Sequence, residues 1–176
     1  LKKIFFMKNF KYIAFGFLFV ASFAWAQTTE VAANKTQTEK KALPKIYNPQ
    51  EDAEVKINEL LVQAKKENKN IIVQGGGNWC IWCLRFDNFW RTNPELKSIV
   101  DENYLYYHLN MSPENENKEL FAKYGNPGDQ YGYPVFIILD QNGKQIHTQD
   151  SAVLEEGSSY NVSKVRDFFN AWKPQS

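Results

Sequence analysis

Cysteine is scarce in this chain. Its 176 residues hold two, Cys80 and Cys83, and histidine is no commoner, with His108 and His147. A structural zinc site takes four ligands drawn from such residues. Both histidines would have to converge on the cysteine pair, yet His108 falls in a stretch that reads as a strand and His147 in an outer hairpin, so no metal or other cofactor is expected. An excess of charge is lacking too. The 21 Lys and Arg against 20 Asp and Glu leave a formal +1, without the basic surface that binding to nucleic acid requires. There is no internal repeat. The triple glycine Gly75–Gly77 is not followed by the Lys-Ser/Thr ending of a phosphate-binding loop, and it reads as loop geometry.

What is present begins with a leader. Leu1–Ala26 has a basic start, an apolar stretch Tyr12–Phe23, and Ala24-Trp25-Ala26 before Gln27. This is the layout of a secretory signal peptide with an A-x-A cleavage site. The apolar stretch is short for a permanent span, so removal is expected rather than retention as an N-terminal membrane anchor. Setting aside Lys2, Lys3, Lys8 and Lys11 turns the formal charge to −3. The expected address is across the inner membrane, in the periplasm. In such an oxidising compartment disulfides commonly staple small folds. Two cysteines with two residues between them close a loop too short to remove much chain entropy. Chemistry explains the pair better than stability does.

Residues 27–50 are polar and carry Pro44 and Pro49; they read as a flexible linker. One domain is expected over 51–176. Glu51–Asn68 has the apolar stripe of a helix in Val55, Ile57, Leu60, Leu61 and Ala64. Ile71–Val73 is a short β-branched run suited to a strand buried on both faces. A helix follows the cysteines through Phe86, Phe89 and Trp90, and Pro94–Glu102 reads as another, capped by Asn93. Tyr104–Asn110 reads as a strand. Ser112-Pro113 opens an expected helix ending at Gly125, with Asn126–Gly132 as loop. Val135–Leu139 is a second buried strand, and Asn142-Gly143 turns it into a hairpin with Lys144–Gln149. After a loop over Asp150–Tyr160, Val162, Val165, Phe168, Phe169 and Trp172 mark a closing helix. The order implies an α/β fold, a mixed central sheet with helices on both faces.

The chemistry concentrates in Gln74–Phe89. A buried strand, a glycine loop and then Cys-x-x-Cys at a helix start is a context in which the motif does redox work. Unsatisfied backbone N–H groups and the helix dipole favour an anion there. That setting favours the thiolate, which is the reactive form of cysteine.

Trp79-Cys80-x-x-Cys83 after a buried strand, Tyr133-Pro134 just before the next core strand, and the terminal hairpin plus helix together resemble the thioredoxin-like family. The likeness covers Glu51 to Pro174, and it is closest to secreted thioredoxin-fold thiol–disulfide oxidoreductases and to the reducing terminal domain of the membrane disulfide-interchange protein. The resemblance implies an enzyme. Cys80 would be the exposed nucleophile and Cys83, more buried, the resolving cysteine. Trp79, Tyr133 and a cis Pro134 would shape the surface that binds substrate. It further implies disulfide-bearing protein substrates and a membrane electron donor of the disulfide-interchange type.

The chain departs from the family pattern at two places. Thioredoxins carry a buried carboxylate six residues before the first cysteine, where this chain has Gln74, so the proton on Cys83 needs another acceptor. Asp87 is a candidate, set against the plainer reading of a solvated helix-face acid. The dipeptide between the cysteines is Ile81-Trp82 rather than Gly-Pro. It lacks the His that favours oxidation elsewhere in the family, and the expectation leans to a reductase. The alternatives are a thioredoxin-fold binding module with little redox turnover, and a disulfide oxidase or isomerase. Trp82 reads equally as substrate collar and as packing.

Overall fold

The structure is a computed structural model that describes residues 42–175. The expected signal peptide and most of the expected linker lie outside these residues. Four strands form the main sheet in the order β2-β1-β3-β4. They are β1 (Asn70–Gly76), β2 (Tyr104–Asn110), β3 (Val135–Leu139) and β4 (Gln145–Asp150). β2 runs parallel to β1, β3 is antiparallel to β1, and β4 is antiparallel to β3. The sheet is therefore mixed, as the element order implied.

Side chains alternate across a strand, so the two central strands divide their apolar residues between two cores. Ile71, Val73, Val135, Ile137 and Leu139 face one layer. There they meet Ala53, Ile57, Leu60 and Ala64 of α1 (Ala53–Glu67) and Leu120 and Phe121 of α4 (Lys118–Lys123). Ile72, Phe136 and Ile138 face the other. They meet Phe86 and Trp90 of α2 (Ile81–Thr92), Leu96 and Val100 of α3 (Pro94–Asn103), and Val165, Phe168 and Phe169 of α6 (Val162–Ala171). Burial on both faces is why Ile71–Val73 and Val135–Leu139 read as continuous apolar runs. The caps are local: Asp52, Asn93 and Asn161 each accept backbone N–H bonds at the starts of α1, α3 and α6.

The structure differs from the sequence reading in four places. β1 continues through Gly75 and Gly76, which pair with Leu109 and Asn110 of β2, so two of the three loop glycines belong to the strand. The helix expected from Ser112 begins only at Lys118. The asparagines before it are occupied otherwise: Asn115 Nδ2 donates to the carbonyls of Pro49 and Glu51, and Asn117 Nδ2 to that of Asn110. Such side chains compete with helical bonding. The expected loop at Asn126–Gly132 contains a short helix, α5 (Pro127–Tyr131), with Pro127 at its first turn. Asp150–Tyr160 holds a short 3-10 turn and a two-residue hairpin, β5 (Glu155–Glu156) with β6 (Ser159–Tyr160). Among the described residues, no helix is long and apolar enough to cross a membrane.

Candidate active site

The cysteine pair sits where β1 delivers the chain to the start of α2. Cys80 is the N-cap of that helix, with extended backbone, and Cys80 and Cys83 are joined in a disulfide. The Cys80 sulfur takes the place of a capping oxygen, accepting the Cys83 N–H at 3.1 Å. A sulfur there meets the unpaired N–H groups of the first helical turn and the positive end of the helix dipole. Both favour a thiolate at Cys80 once the disulfide opens. Cys80 retains 6% of its surface and Cys83 none, so Cys80 is the more accessible of the two, though in the disulfide form it is buried rather than exposed as the resemblance implied.

The rim of the site is apolar and open. Trp79 and Ile81, on either side of Cys80, are among the most exposed large apolar residues of the protein. Trp79 lies edge-on to Tyr133, with ring centroids 5.5 Å apart, and the Tyr133–Pro134 peptide is cis. The Tyr133 side chain also packs with the core cluster that contains Phe121. Trp79, Cys80 and Tyr133 therefore meet in one place. Trp82 packs against the cysteine cluster as well. It turns to Tyr160, ring centroids 5.6 Å apart, and the Tyr160 hydroxyl donates to the Trp82 carbonyl at 3.1 Å. Trp82 therefore bridges the cysteine cluster and Tyr160.

Beneath the sulfurs lies a polar floor that the sequence did not announce. Gln74 is fully buried. Its Nε2 donates to the Cys83 carbonyl at 3.2 Å and to the Tyr47 hydroxyl at 2.6 Å, while its Oε1 accepts from the Tyr106 hydroxyl at 2.5 Å. A carbonyl only accepts, so the bond to Cys83 fixes which end of the amide faces Tyr47. Gln74 thus ties the first turn of α2 to β1 and to two tyrosines. Burial pushes both hydroxyls well above the ordinary tyrosine value, more than the Gln74 bond lowers that of Tyr47. Both stay protonated: Tyr106 donates to Gln74, and Tyr47 accepts from it.

Tyr47 belongs to the stretch expected to be flexible linker, yet it is buried and clusters with Cys80 and Cys83. Asn78 holds it there. The Asn78 Oδ1 accepts from the Ile46 and Tyr47 N–H groups at 2.9 and 3.1 Å, and its Nδ2 donates to the Tyr47 carbonyl at 2.8 Å. The side-chain amide matches the backbone on both its donor and its acceptor sides, as a paired strand does. Gly76 makes the space: a Cβ on it would lie 2.5 Å from the Cys83 sulfur and 2.6 Å from the Tyr47 hydroxyl.

Asp87 also departs from the sequence reading. It is a buried residue of α2 rather than a solvated acid. Its Oδ1 accepts from Arg91 Nε at 2.7 Å and from His108 Nε2 at 3.0 Å. A carboxylate only accepts, so that imidazole nitrogen carries the proton. Burial raises the Asp87 carboxyl, but the His108 and Arg91 bonds outweigh it and hold the group below its ordinary value. The imidazole of His108, read from sequence as an ordinary strand residue, also meets Tyr47 edge-on at 5.3 Å. Asp87, matched by two donors, is poorly suited to take a further proton from Cys83.

Among the described residues no group of three or more His, Cys, Asp or Glu could hold a metal ion. A cavity of about 540 Å³ reaches Ile81 and another of about 550 Å³ reaches Tyr133, and neither is lined by a cysteine. The disulfide lies instead on a surface rimmed by the apolar Trp79 and Ile81. That arrangement suits a chain-shaped partner better than a small molecule enclosed in a pocket.

Comparison with known proteins agrees with this geometry. Residues 57–156 match the family model described as a thioredoxin-like domain. Among solved structures, a disulphide isomerase from Xylella fastidiosa Temecula1 is 24% identical with a TM-score of 0.64, covering 74% of this chain and 98% of that one. The C-terminal domain of Neisseria meningitidis DsbD in its oxidised form is 16% identical with a TM-score of 0.51, covering 69% of this chain and 97% of that one. No curated protein matches the chain.

Proposed function

The chain belongs to the thioredoxin-like family, and from that premise we propose that this thiol–disulfide oxidoreductase reduces disulfides in proteins beyond the inner membrane. One observation carries the reading: Cys80 caps α2 with its sulfur, next to exposed Trp79 and Ile81, while its disulfide partner Cys83 is fully buried. In the reduced enzyme the Cys80 thiolate attacks one sulfur of a substrate disulfide. A Cys80–substrate disulfide forms and the other substrate sulfur leaves as a thiolate, taking a proton from water. Cys83 then loses its proton and attacks the Cys80 sulfur. The Cys80–Cys83 disulfide closes and the second substrate thiolate departs. Two electrons pass from the dithiol to the substrate.

Trp79, Tyr133 and Pro134 form the surface on which the substrate chain lies. An oxidising compartment does not return the enzyme to its dithiol, so a membrane donor of the disulfide-interchange type recharges it. The leader pattern of Leu1–Ala26 supports the address, and the absence of a His between the cysteines supports the reducing direction.

Insulin-disulfide reduction, with mixed disulfides trapped on non-reducing gels, tests the assignment. Cys80→Ser abolishes turnover, and Cys83→Ala accumulates covalent adducts through Cys80. Full activity in Cys80→Ser overturns the mechanism. Equilibration with glutathione tests the direction: a potential near about −270 mV fits a reductase, and one near about −120 mV reverses it. A pair that does not equilibrate at all would make the apolar rim a binding surface instead.

A further inference from the structure

Resolution requires a Cys83 thiolate, and Cys83 is fully buried with Gln74 standing where thioredoxins have a carboxylate. A buried anion without a partner is costly. One group beside this sulfur has a hydrogen to give. The Tyr47 hydroxyl accepts from Gln74 Nε2 at 2.6 Å, so its own O–H points elsewhere. That hydroxyl and the Cys83 sulfur both lie within 2.6 Å of one point, the position of the missing Gly76 Cβ. In the disulfide form no hydrogen bond joins them, and a disulfide sulfur is a weak acceptor. A thiolate is a strong one.

We propose that Tyr47 is a positioning residue for the resolving step: when the disulfide opens, its hydroxyl donates to the Cys83 thiolate and holds that sulfur ready to attack Cys80. The proton is not transferred. Tyr47 keeps it, and the proton of Cys83 leaves to solvent. Gln74 acts behind Tyr47, filling a hydroxyl lone pair so that the O–H turns to the sulfur, and Asn78 fixes the backbone that carries the ring. The proposal rests on the oxidoreductase reading and deepens it, since it assigns the group that replaces the family's carboxylate with a donor in place of a base.

The ionisable groups that face this pair are Tyr106, His108 and Asp87, with Arg91 on Asp87 and Tyr160 on the α2 side. Both tyrosines stay protonated, and Asp87 is held ionised by His108 and Arg91. His108 also packs its ring against Tyr47, and the test removes it.

The experiment follows the reduced full chain mixed with an aromatic disulfide that releases a coloured thiol. The first release reports attack by Cys80, and the second reports resolution by Cys83. Tyr47→Phe keeps the ring and deletes the donor. Its first phase matches wild type, and the midpoint of its second phase moves up by about one pH unit, the scale of one charge-assisted hydrogen bond. A less stabilised thiolate is rarer but more nucleophilic. The variant therefore resolves roughly threefold more slowly at neutral pH and faster than wild type in alkali. The same displacement persists in a His108→Gln background. Tyr104→Phe, which deletes another buried hydroxyl bond far from the sulfurs, leaves both phases alone.

An unchanged second phase across pH overturns the proposal. So does an equal slowing of both phases, or a slowing without the alkaline crossover. If Tyr47→Phe does not fold, Gln74→Leu takes its place: weakened orientation of the same hydroxyl must give the same crossover. Absence of the first phase in wild type is a different result, and it removes the oxidoreductase reading itself.

Discussion

Gly76→Ala is the sharpest probe of how the floor of the site is built. A Cβ at this position would meet two atoms at once, the Cys83 sulfur at 2.5 Å and the Tyr47 hydroxyl at 2.6 Å, with the Tyr47 ring carbon behind it at 3.2 Å. None of these can yield easily. Cys83 is fixed by its disulfide and the first turn of α2, and Tyr47 by Asn78 and Gln74. Inserting a methyl group into a well-packed core costs about 1–3 kcal/mol, and this site belongs at the upper end. With a urea dependence of about 1–3 kcal/mol per molar for small domains, the unfolding midpoint of the oxidised protein falls by roughly 1 M. Tyr47→Phe removes the nearer of the two Tyr47 atoms, so the double variant Gly76→Ala/Tyr47→Phe recovers part of the loss. A coupling of about 0.5 kcal/mol or more is expected for residues in such contact. Gly75→Ala is the comparison. Its Cβ would meet the Phe121 ring at 3.0 Å, and the smaller loss should be indifferent to Tyr47. If Gly76→Ala unfolds at the wild-type midpoint, or if the two substitutions simply add, the packing of Tyr47 against Cys83 is not as described.

Asn78→Ala removes three hydrogen bonds to the Ile46–Tyr47 backbone and should cost about 1.5–4.5 kcal/mol, each bond contributing roughly 0.5–1.5 kcal/mol. Hydrogen exchange at the Ile46 and Tyr47 amides should accelerate while that of β3 stays slow; equal protection in the variant would remove the clamp from the account. For Asp87, the folded-state value is lowered, so its contribution is present above the unfolded-chain value of about 4 and is lost as the pH falls through the lower folded value. Asp87→Asn should therefore lower stability at neutral pH and flatten the decline of stability below about pH 4. Acid unfolding curves that superimpose for the two proteins would show that the His108 and Arg91 bonds are not maintained in solution.

The parts of the molecule that could be read from the sequence are those where one stretch carries its own explanation. Ile71–Val73 and Val135–Leu139 are apolar without interruption because both faces of those strands are covered, and Asn142-Gly143 supplies a turn residue with positive φ at Gly143. The cysteines announce themselves by spacing after a strand. Tyr47 does not, because it stands in a stretch too short to show a period and the amide that holds it lies 31 residues away. Asp87 looked like a solvated acid for the same reason. Its partner His108 is 21 residues off, on a strand whose alternation says nothing of what stands opposite. Gln74 was legible as a departure, but its task depended on Tyr47 and Tyr106, and neither is its neighbour in the chain. The short α5 has five residues, too few for a periodic stripe to show.

The Asn78 clamp bears on where this protein can be cut. The family pattern begins at Ile57, and composition alone would place the edge of the domain at Glu51. A fragment trimmed to either border would keep every strand of the main sheet and both cysteines, and would look whole by fold. It would also leave a notch the size of a phenol ring against Cys83, open to water, and an asparagine side chain with three bonds unmade. Part of the floor of this site lies upstream of the shared pattern, in a short piece of chain docked back onto it.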